Sequence, residues 1–134
     1  MTKPVLGGSG EQLTGYVLGK KAQEDEERFY RGCMKTGKVL SYHPQWLIGQ
    51  QGAPGFRTLD ALVRTILEWR AFEIDGAAFV HRGDRKKQED KLADLQRIDG
   101  LRRIGIQVRL GIEHVPDTYL KTQPQADAKA RSLL

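Results

Sequence analysis

Residues 104–112 read IGIQVRLGI and carry the clearest pattern in the chain. Aliphatic side chains stand at every even position, while glycine, glutamine and arginine hold the odd positions. Because successive side chains of a strand point to opposite faces, the aliphatic set is predicted to pack on a core and the other set to face solvent or a partner. The stretch therefore predicts a long C-terminal strand with one buried face.

Helical patterns precede this strand. Oppositely charged side chains four residues apart predict a helix over 22–35, followed by a short strand over 38–43 that Pro44 ends. A broad apolar stripe over 59–69, with Thr58 as its N-cap, predicts a core helix.

A turn and a further helix are predicted next. Asp75-Gly76 between apolar stretches predicts a β-hairpin. Another helix is predicted from Asp84 to about Ile98, ended by Asp99-Gly100.

These elements predict an α+β fold, because helices interrupt a mostly antiparallel sheet without regular strand–helix alternation. Three helices are expected to pack on this sheet in one small domain over 11–116. Residues 1–10 are predicted to form a flexible N-terminal arm, and 117–134 a polar C-terminal tail.

Composition favours an intracellular protein with an anionic partner. The chain has 134 residues, with 22 Lys and Arg against 17 Asp and Glu, for a formal charge of +5. A single cysteine, Cys33, excludes an intramolecular disulfide and favours a reducing compartment. With no signal-peptide pattern and no apolar run of membrane-spanning length, we expect a cytoplasmic location or an intracellularly assembled particle, and neither secretion nor a membrane partner.

Two groups of basic residues are candidate nucleic-acid or anion contacts. Cations in the first turn of a helix oppose its dipole, and such a break of a local rule can mark a phosphate-binding site. The candidates are Arg85, Lys86, Lys87, Arg102, Arg103 and Arg109. The alternative is an ordinary solvated surface neutralised by neighbouring acids.

The polar face of the predicted C-terminal strand is a candidate protein interface. It consists of Gly105, Gln107, Arg109 and Gly111. Because no aromatic residue stands among the cations of this face, a protein partner is favoured there over stacked bases. Edge-strand charges that discourage aggregation are the alternative explanation.

Catalytic motifs are mostly missing from the sequence. The glycine spacings match no phosphate-binding loop, and the three histidines are isolated and predicted to be structural. One enzymatic hypothesis remains, in which Glu73, Asp75 and Glu68 gather with Lys86 or Lys87 as a magnesium-binding nuclease site. Acidic residues flanking a tight turn are the ordinary alternative.

The leading functional hypothesis is a non-enzymatic assembly or interaction subunit of a larger, nucleic-acid-containing complex such as a virus particle. Its contacts would be the termini and the exposed strand, and its partners other protein subunits in a homo- or hetero-oligomer. The second hypothesis is a DNA- or RNA-binding accessory protein or regulator, and the third is the metal-dependent nuclease. The leading hypothesis expects no catalytic residue, metal or cofactor.

Overall fold

The computed structural model of the chain describes residues 12–54, 56–76 and 84–134, and for 84–86 it describes the backbone alone. Several sequence predictions fall outside these residues. They are the N-terminal arm over 1–10 and the second strand of the hairpin expected after Gly76.

The described chain forms an α+β domain, which confirms the predicted class. A short hairpin of β1 (Tyr16–Val17) and β2 (Lys20–Lys21) leads into helix α1 (Glu24–Lys35). Three antiparallel strands follow, namely β3 (Val39–Ile48), β4 (Arg57–Thr65) and β5 (Trp69–Asp75). Helix α2 (Asp84–Arg103) then leads to β6 (Ile112–Pro116).

The main sheet has the order β3-β4-β5-β6, and β6 runs parallel to β5. A parallel neighbour needs a long crossover connection, which α2 supplies. The chain then makes a 3₁₀ turn over Asp117–Leu120 and ends in helix α3 (Gln123–Leu133). Thr122 caps α3 through a capping box with Gln125.

Both faces of the sheet are covered. On one face, α1 and α3 pack over Ala61, Val63 and Phe72. On the other face, Leu101 of α2 packs with Leu62 and Ala71. Because the neighbouring residues of β4 alternate between two cores, this strand is apolar at successive positions rather than at every second one.

The predicted C-terminal strand over 104–112 is wrong. Helix α2 continues through Asp99-Gly100 to Arg103, and the strand begins only at Ile112. Gly105 and Gly111 have φ angles of +84° and +70°, which an extended strand does not accommodate. Val108 is nevertheless buried against α2, while Ile104 and Leu110 are exposed.

The predicted helix over 58–69 is also wrong, because these residues form β4 and the turn into β5. The Asp75-Gly76 hairpin stays a prediction, because its second strand falls outside the described residues. Helix α1 and helix α2 are confirmed, the latter with a longer C-terminal end. The short strand predicted at 38–43 is confirmed and extends through Pro44 to Ile48, because β3 is an edge strand and an edge tolerates proline.

Residues 117–134, predicted as a polar tail, contribute directly to the core. Leu120, Ala126 and Ala130 are fully buried with the residues of α1 and the sheet. Over 12–54, 56–76 and 84–134, no helix has both the length and the apolar character needed to cross a membrane.

The contact between α1 and α3 is close enough to require glycine at position 32. A Cβ atom there would lie 2.8 Å from the Ala126 carbonyl oxygen and 3.0 Å from its carbonyl carbon. Since both are backbone atoms, neither can move without shifting the helix.

We therefore expect Gly32→Ala to lower the free energy of unfolding by about 1–3 kcal/mol, as overpacking does. This sign is opposite to the gain of about 1 kcal/mol that Gly→Ala gives in an unconstrained helix. Urea unfolding measures the difference. Met34→Ala, at an exposed position of the same helix, is the matched control and should stay within about 0.5 kcal/mol of wild type. A Gly32→Ala protein as stable as wild type would contradict the close helix contact.

Candidate functional site

Two carboxylates face each other where β4 and β5 stop pairing. The regular pairs run from Arg64 opposite Trp69 to Ala61 opposite Phe72. At the next position, that of Asp60 and Glu73, hydrogen bonds from main-chain amides to side chains replace the main-chain pairing of the two strands. Glu73 Oε2 accepts a hydrogen bond from the Asp60 amide at 2.8 Å, and Asp60 Oδ2 accepts one from the Ile74 amide at 2.8 Å. The two strands are thus held together by acidic side chains of like charge.

Arg97 of α2 contacts this carboxylate pair. Its Nη2 atom lies 2.7 Å from Glu73 Oε1, and both side chains are mostly buried, at 15% and 13% exposure. Two further bonds fix the guanidinium, one to the Thr58 carbonyl at 2.9 Å and one to Asp94 Oδ1 at 2.9 Å. The Glu73 carboxylate is therefore held between a main-chain amide and a buried arginine.

The site carries more negative charge than Arg97 compensates. Burial, and secondly the charge of Asp60, raise the pKa of Glu73 to about 8 even though Arg97 acts in the opposite direction. A third carboxylate, Glu26 of α1, has a raised pKa, of which burial is the largest cause and to which the charge of Asp60 contributes. We name Glu26, Asp60 and Glu73 the acidic site.

Gln45 of β3 holds Glu26 in place from a strained backbone conformation. Its Nε2 atom donates to Glu26 Oε2 at 2.7 Å. Its φ angle is +51°, which is uncommon for a residue with a side chain. The Lys20 ammonium stabilises this conformation from β2, because it donates to the Pro44 carbonyl at 2.8 Å and to the Gln45 carbonyl at 3.4 Å.

A cleft leads to Glu26 from solvent. It has a volume of about 340 Å³, and Lys21, Gln23 and Gln45 line it together with Glu26. The exposed Lys21 places a positive charge at this opening. An anion approaching Glu26 through the cleft would therefore pass a lysine first.

His114 of β6 belongs to the same polar network as Arg97, because both side chains contact Asp94. Its Nδ1 atom lies 2.8 Å from Asp75 Oδ2, and its Nε2 atom lies 2.6 Å from Asp94 Oδ2. Hydrogen bonds to Asp75 and then to Asp94 raise the pKa of His114 to about 10. At neutral pH the ring is an imidazolium that donates from both nitrogens. It is thus linked to Glu73 through Asp94 and Arg97.

A cation held by the acidic site would have to be one that takes few of its ligands from the protein. Within the described part of the chain, no three or more His, Cys, Asp or Glu side chains are arranged to hold a metal ion by themselves. Mg²⁺ commonly binds one or two carboxylates and completes its shell with water and substrate phosphate. Asp60 and Glu73 could supply two such carboxylates, although Glu73 Oε1 contacts Arg97 and Glu73 Oε2 accepts from the Asp60 amide in this structure. Cys33 offers no alternative ligand, because it is fully buried and burial raises its pKa to about 12.

The sequence hypothesis of a nuclease site had named part of this arrangement. Glu73 belongs to the acidic site, and Asp75 lies in the adjoining network with His114. Glu68 lies before the first residue of β5, away from Glu73, and its carboxylate pairs with Arg109 at 3.0 Å. Nothing is described of the Lys86 side chain, and the exposed Lys87 lies one turn into α2.

Sequence reasoning missed the other members of the acidic site and its network. They are Glu26, Gln45, Asp60, Asp94, Arg97 and His114. The sequence predicts Asp60 within a helix over 59–69 that is in fact β4, and it predicts His114 to be isolated. Asp60 and Glu73 lie at matching distances from the turn between β4 and β5, which indicates that they lie opposite each other. This relation becomes visible only when both segments are assigned as strands.

Two of the predicted basic contacts, Arg102 and Arg109, line one groove, while the group at 85–87 lies at the other end of α2. Arg85, Lys86 and Lys87 belong to the first turn of α2, and Arg102 and Arg103 to its last turn. At 1.5 Å per residue, the 15 positions between Lys87 and Arg102 correspond to about 22 Å along the helix. Arg103 also pairs with Asp99 at 3.0 Å on the surface.

The residues predicted to form a protein interface do not lie on a strand. Gly105, Gln107, Arg109 and Gly111 lie in the irregular segment between α2 and β6. Gln107 and Arg109 line a groove of about 730 Å³ with Leu67 and Ile98. They therefore remain accessible, although they do not form the flat strand edge that the sequence predicted.

Comparison with known proteins does not assign the site. No protein-family model, curated protein or solved structure matches the chain.

The charged state of His114 has a consequence for stability. The folded-state pKa of about 10 exceeds the ordinary histidine pKa of 6.5, so the folded protein holds an extra proton between these values. The stabilisation from His114 is complete below pH 6.5 and is lost as pH rises towards 10.

We expect the urea concentration at the unfolding midpoint of the wild type to decrease as the pH rises from 7 to 10. The loss of this proton lowers the free energy of unfolding by up to about 1.4 kcal/mol per pH unit. His114→Gln removes the titrating group between Asp75 and Asp94 and should flatten this dependence. His43→Gln, a change in β3 away from these two acids, should keep the wild-type slope. Equal slopes for wild type and His114→Gln would show that the imidazolium is not the cause.

Proposed function

We propose that this protein is a divalent-cation-dependent nuclease whose cation site is formed by Asp60 and Glu73. The observation that carries the proposal is their placement opposite each other, at the point where β4 and β5 exchange side-chain bonds instead of a main-chain ladder. Burial and the charge of Asp60 raise the pKa of Glu73 to about 8, so Glu73 keeps a proton at neutral pH. A divalent cation would take the place of that proton.

The surroundings favour a phosphate ester as substrate. A divalent cation bound by carboxylates acts as a Lewis acid on phosphoryl oxygen and activates a water molecule. Arg97 adds a fixed positive charge beside Glu73, and Lys21 adds another at the opening of the cleft. Cations around an acidic site match a reaction in which negative charge develops on phosphate.

The net charge of +5 favours a polyanionic substrate over a small phosphate ester. Basic proteins accumulate nucleic acid by long-range attraction, which makes binding strongly dependent on salt. This agrees with the DNA- or RNA-binding hypothesis from the sequence. The assembly-subunit hypothesis stays a prediction, without the exposed strand that was to supply its contacts.

Each residue of the acidic site has a separate role in the proposed reaction. Asp60 and Glu73 would hold the cation, and their bonds to main-chain amides keep them in position. Glu26, fixed by Gln45 and lining the cleft, would accept the proton of a water molecule that attacks phosphorus. The neighbouring helices supply these groups from opposite faces of the sheet, Glu26 from α1 and Arg97 from α2.

The test is cleavage of supercoiled plasmid, linear duplex DNA, single-stranded DNA and RNA, each with Mg²⁺, Mn²⁺ or EDTA. We expect cleavage of at least one substrate that EDTA abolishes. Asp60→Asn and Glu73→Gln should each reduce it by about 100-fold or more, because even residues that merely support metal ligands are worth about 10–100-fold.

Glu68→Gln is the matched control, since Glu68 lies on the same strand connection but pairs with Arg109 instead. The Glu68→Gln variant should cleave nucleic acid at nearly the wild-type rate. Circular dichroism and melting temperatures show whether each variant is folded. The proposal fails if no substrate is cut with either cation, or if folded Asp60→Asn cuts as fast as wild type.

A further inference from the structure

A groove between the C-terminal half of α2 and the turn before β5 shares no lining residue with the acidic site. It has a volume of about 730 Å³, and its apolar lining comes from three separate segments. The apolar side chains are Leu67 before β5, Ile98 in α2, and Ile106 and Val108 in the segment that leads to β6. Leu67 is 84% exposed. Apolar surface left open in this way, with polar residues at its rim, is typical of a binding groove.

The charges of the groove favour an acidic occupant. Arg109 donates two hydrogen bonds to Glu68, at 3.0 and 3.1 Å, so these two charges compensate each other. The exposed Arg102 also lines the groove, and its guanidinium makes no hydrogen bond or ion pair with any residue that the structure describes. The groove therefore offers one uncompensated cation beside an apolar surface. A guanidinium fork of this kind matches a carboxylate.

The main chain of Gln107 favours a peptide as the occupant. Its neighbours are bonded, because the Ile106 amide donates to the Leu101 carbonyl at 2.9 Å and the Val108 carbonyl accepts from the Gly111 amide at 3.0 Å. The Gln107 amide and carbonyl have no such partner within residues 12–54, 56–76 and 84–134. An extended peptide presents a donor and an acceptor at regular intervals and binds to free main-chain groups in this way when it adds to a strand edge.

We propose that this groove binds an extended segment of a protein partner that carries an apolar residue and, two positions away, an aspartate or glutamate. Side chains two positions apart in an extended chain point to the same face, so both face the groove. The apolar side chain packs on Leu67 and Ile98, and the carboxylate binds Arg102. Nucleic acid fits less well, because the described lining has no aromatic side chain on which a base could stack. This role is independent of the proposed nuclease function.

The test is a library of seven-residue peptides with blocked ends, screened for binding to the full chain and then measured by fluorescence polarisation. We expect the selected peptides to carry leucine, isoleucine or valine at one position and an acidic residue two positions away. Arg102→Gln should weaken binding of a selected peptide by about 10-fold, because hydrogen bonds between charged groups are lost. Leu67→Ala should weaken it by about 3- to 10-fold, because apolar contact area is lost. Both side chains are exposed, and melting temperatures show that each variant is folded.

Arg103→Gln is the matched control, since Arg103 follows Arg102 in the chain but pairs with Asp99 and lines a different cleft. It should bind the selected peptide as tightly as wild type does. A second peptide, with glutamine in place of the acidic residue, isolates the contribution of the carboxylate. It should bind wild type about 10-fold more weakly than the acidic peptide, whereas Arg102→Gln should bind the two peptides equally.

Equal binding of the two peptides by Arg102→Gln alone supports the contact between the carboxylate and Arg102. The role of the groove is overturned if the library yields no binding peptide, or if Arg102→Gln binds the acidic peptide as tightly as wild type. Two further results also overturn it. If no peptide binds but Arg102→Gln weakens binding of a single-stranded oligonucleotide, the occupant is nucleic acid. If light scattering shows self-association that Leu67→Ala abolishes, the occupant is a second copy of the chain.

Discussion

Two acidic side chains of like charge hold the central strands of this protein together where their main-chain ladder ends. Asp60 and Glu73 each accept a hydrogen bond from the main chain of the opposite strand, so the sheet depends on groups that repel each other when both are ionised. Arg97 from α2 relieves part of this repulsion, and α1 adds a third carboxylate, Glu26, from the other face. The fold thus brings acidic side chains together, and burial with the charge of Asp60 raises the pKa of Glu73 to about 8.

The sequence predicted the fold class but misplaced two elements, for reasons that lie in the sheet. In β4, Ala61, Leu62 and Val63 are all buried because the sheet is covered on both faces. An apolar run of this kind fits a helix stripe as well as a doubly covered strand, and the turn after Thr65 has no glycine or proline to decide between them. The stretch over 104–112 shows the opposite case, in which a strand-like pattern does not form the predicted strand. Its alternation is strict, yet only part of its apolar set is buried, and its glycines take left-handed conformations that bend the chain away from any neighbour.

The site was less predictable than the fold because its members are distant in sequence. Glu73 and Asp75 were recognisable as neighbouring acids, but Asp60 could not be placed opposite Glu73 while β4 was taken for a helix. Arg97 and Asp94 belong to a helix whose charged residues all look alike in the sequence. His114 has no charged neighbour within its own strand except Glu113, and that carboxylate pairs with Arg70 instead. Only the crossover through α2, which returns the chain to β6, brings His114 to Asp75 and Asp94.

The proline in the outer strand β3 limits how the sheet can meet another protein. Pro44 has no amide hydrogen to offer, its carbonyl is bonded to the Lys20 ammonium, and the left-handed Gln45 follows immediately. A ten-residue edge would otherwise be a template on which a foreign strand could extend the sheet, which is the usual start of edge-to-edge aggregation. Here the edge is interrupted at its middle. Recognition of a partner along β3 therefore has to proceed through side chains, and fibril-like stacking of the molecule is disfavoured by the same feature that holds Gln45 against Glu26.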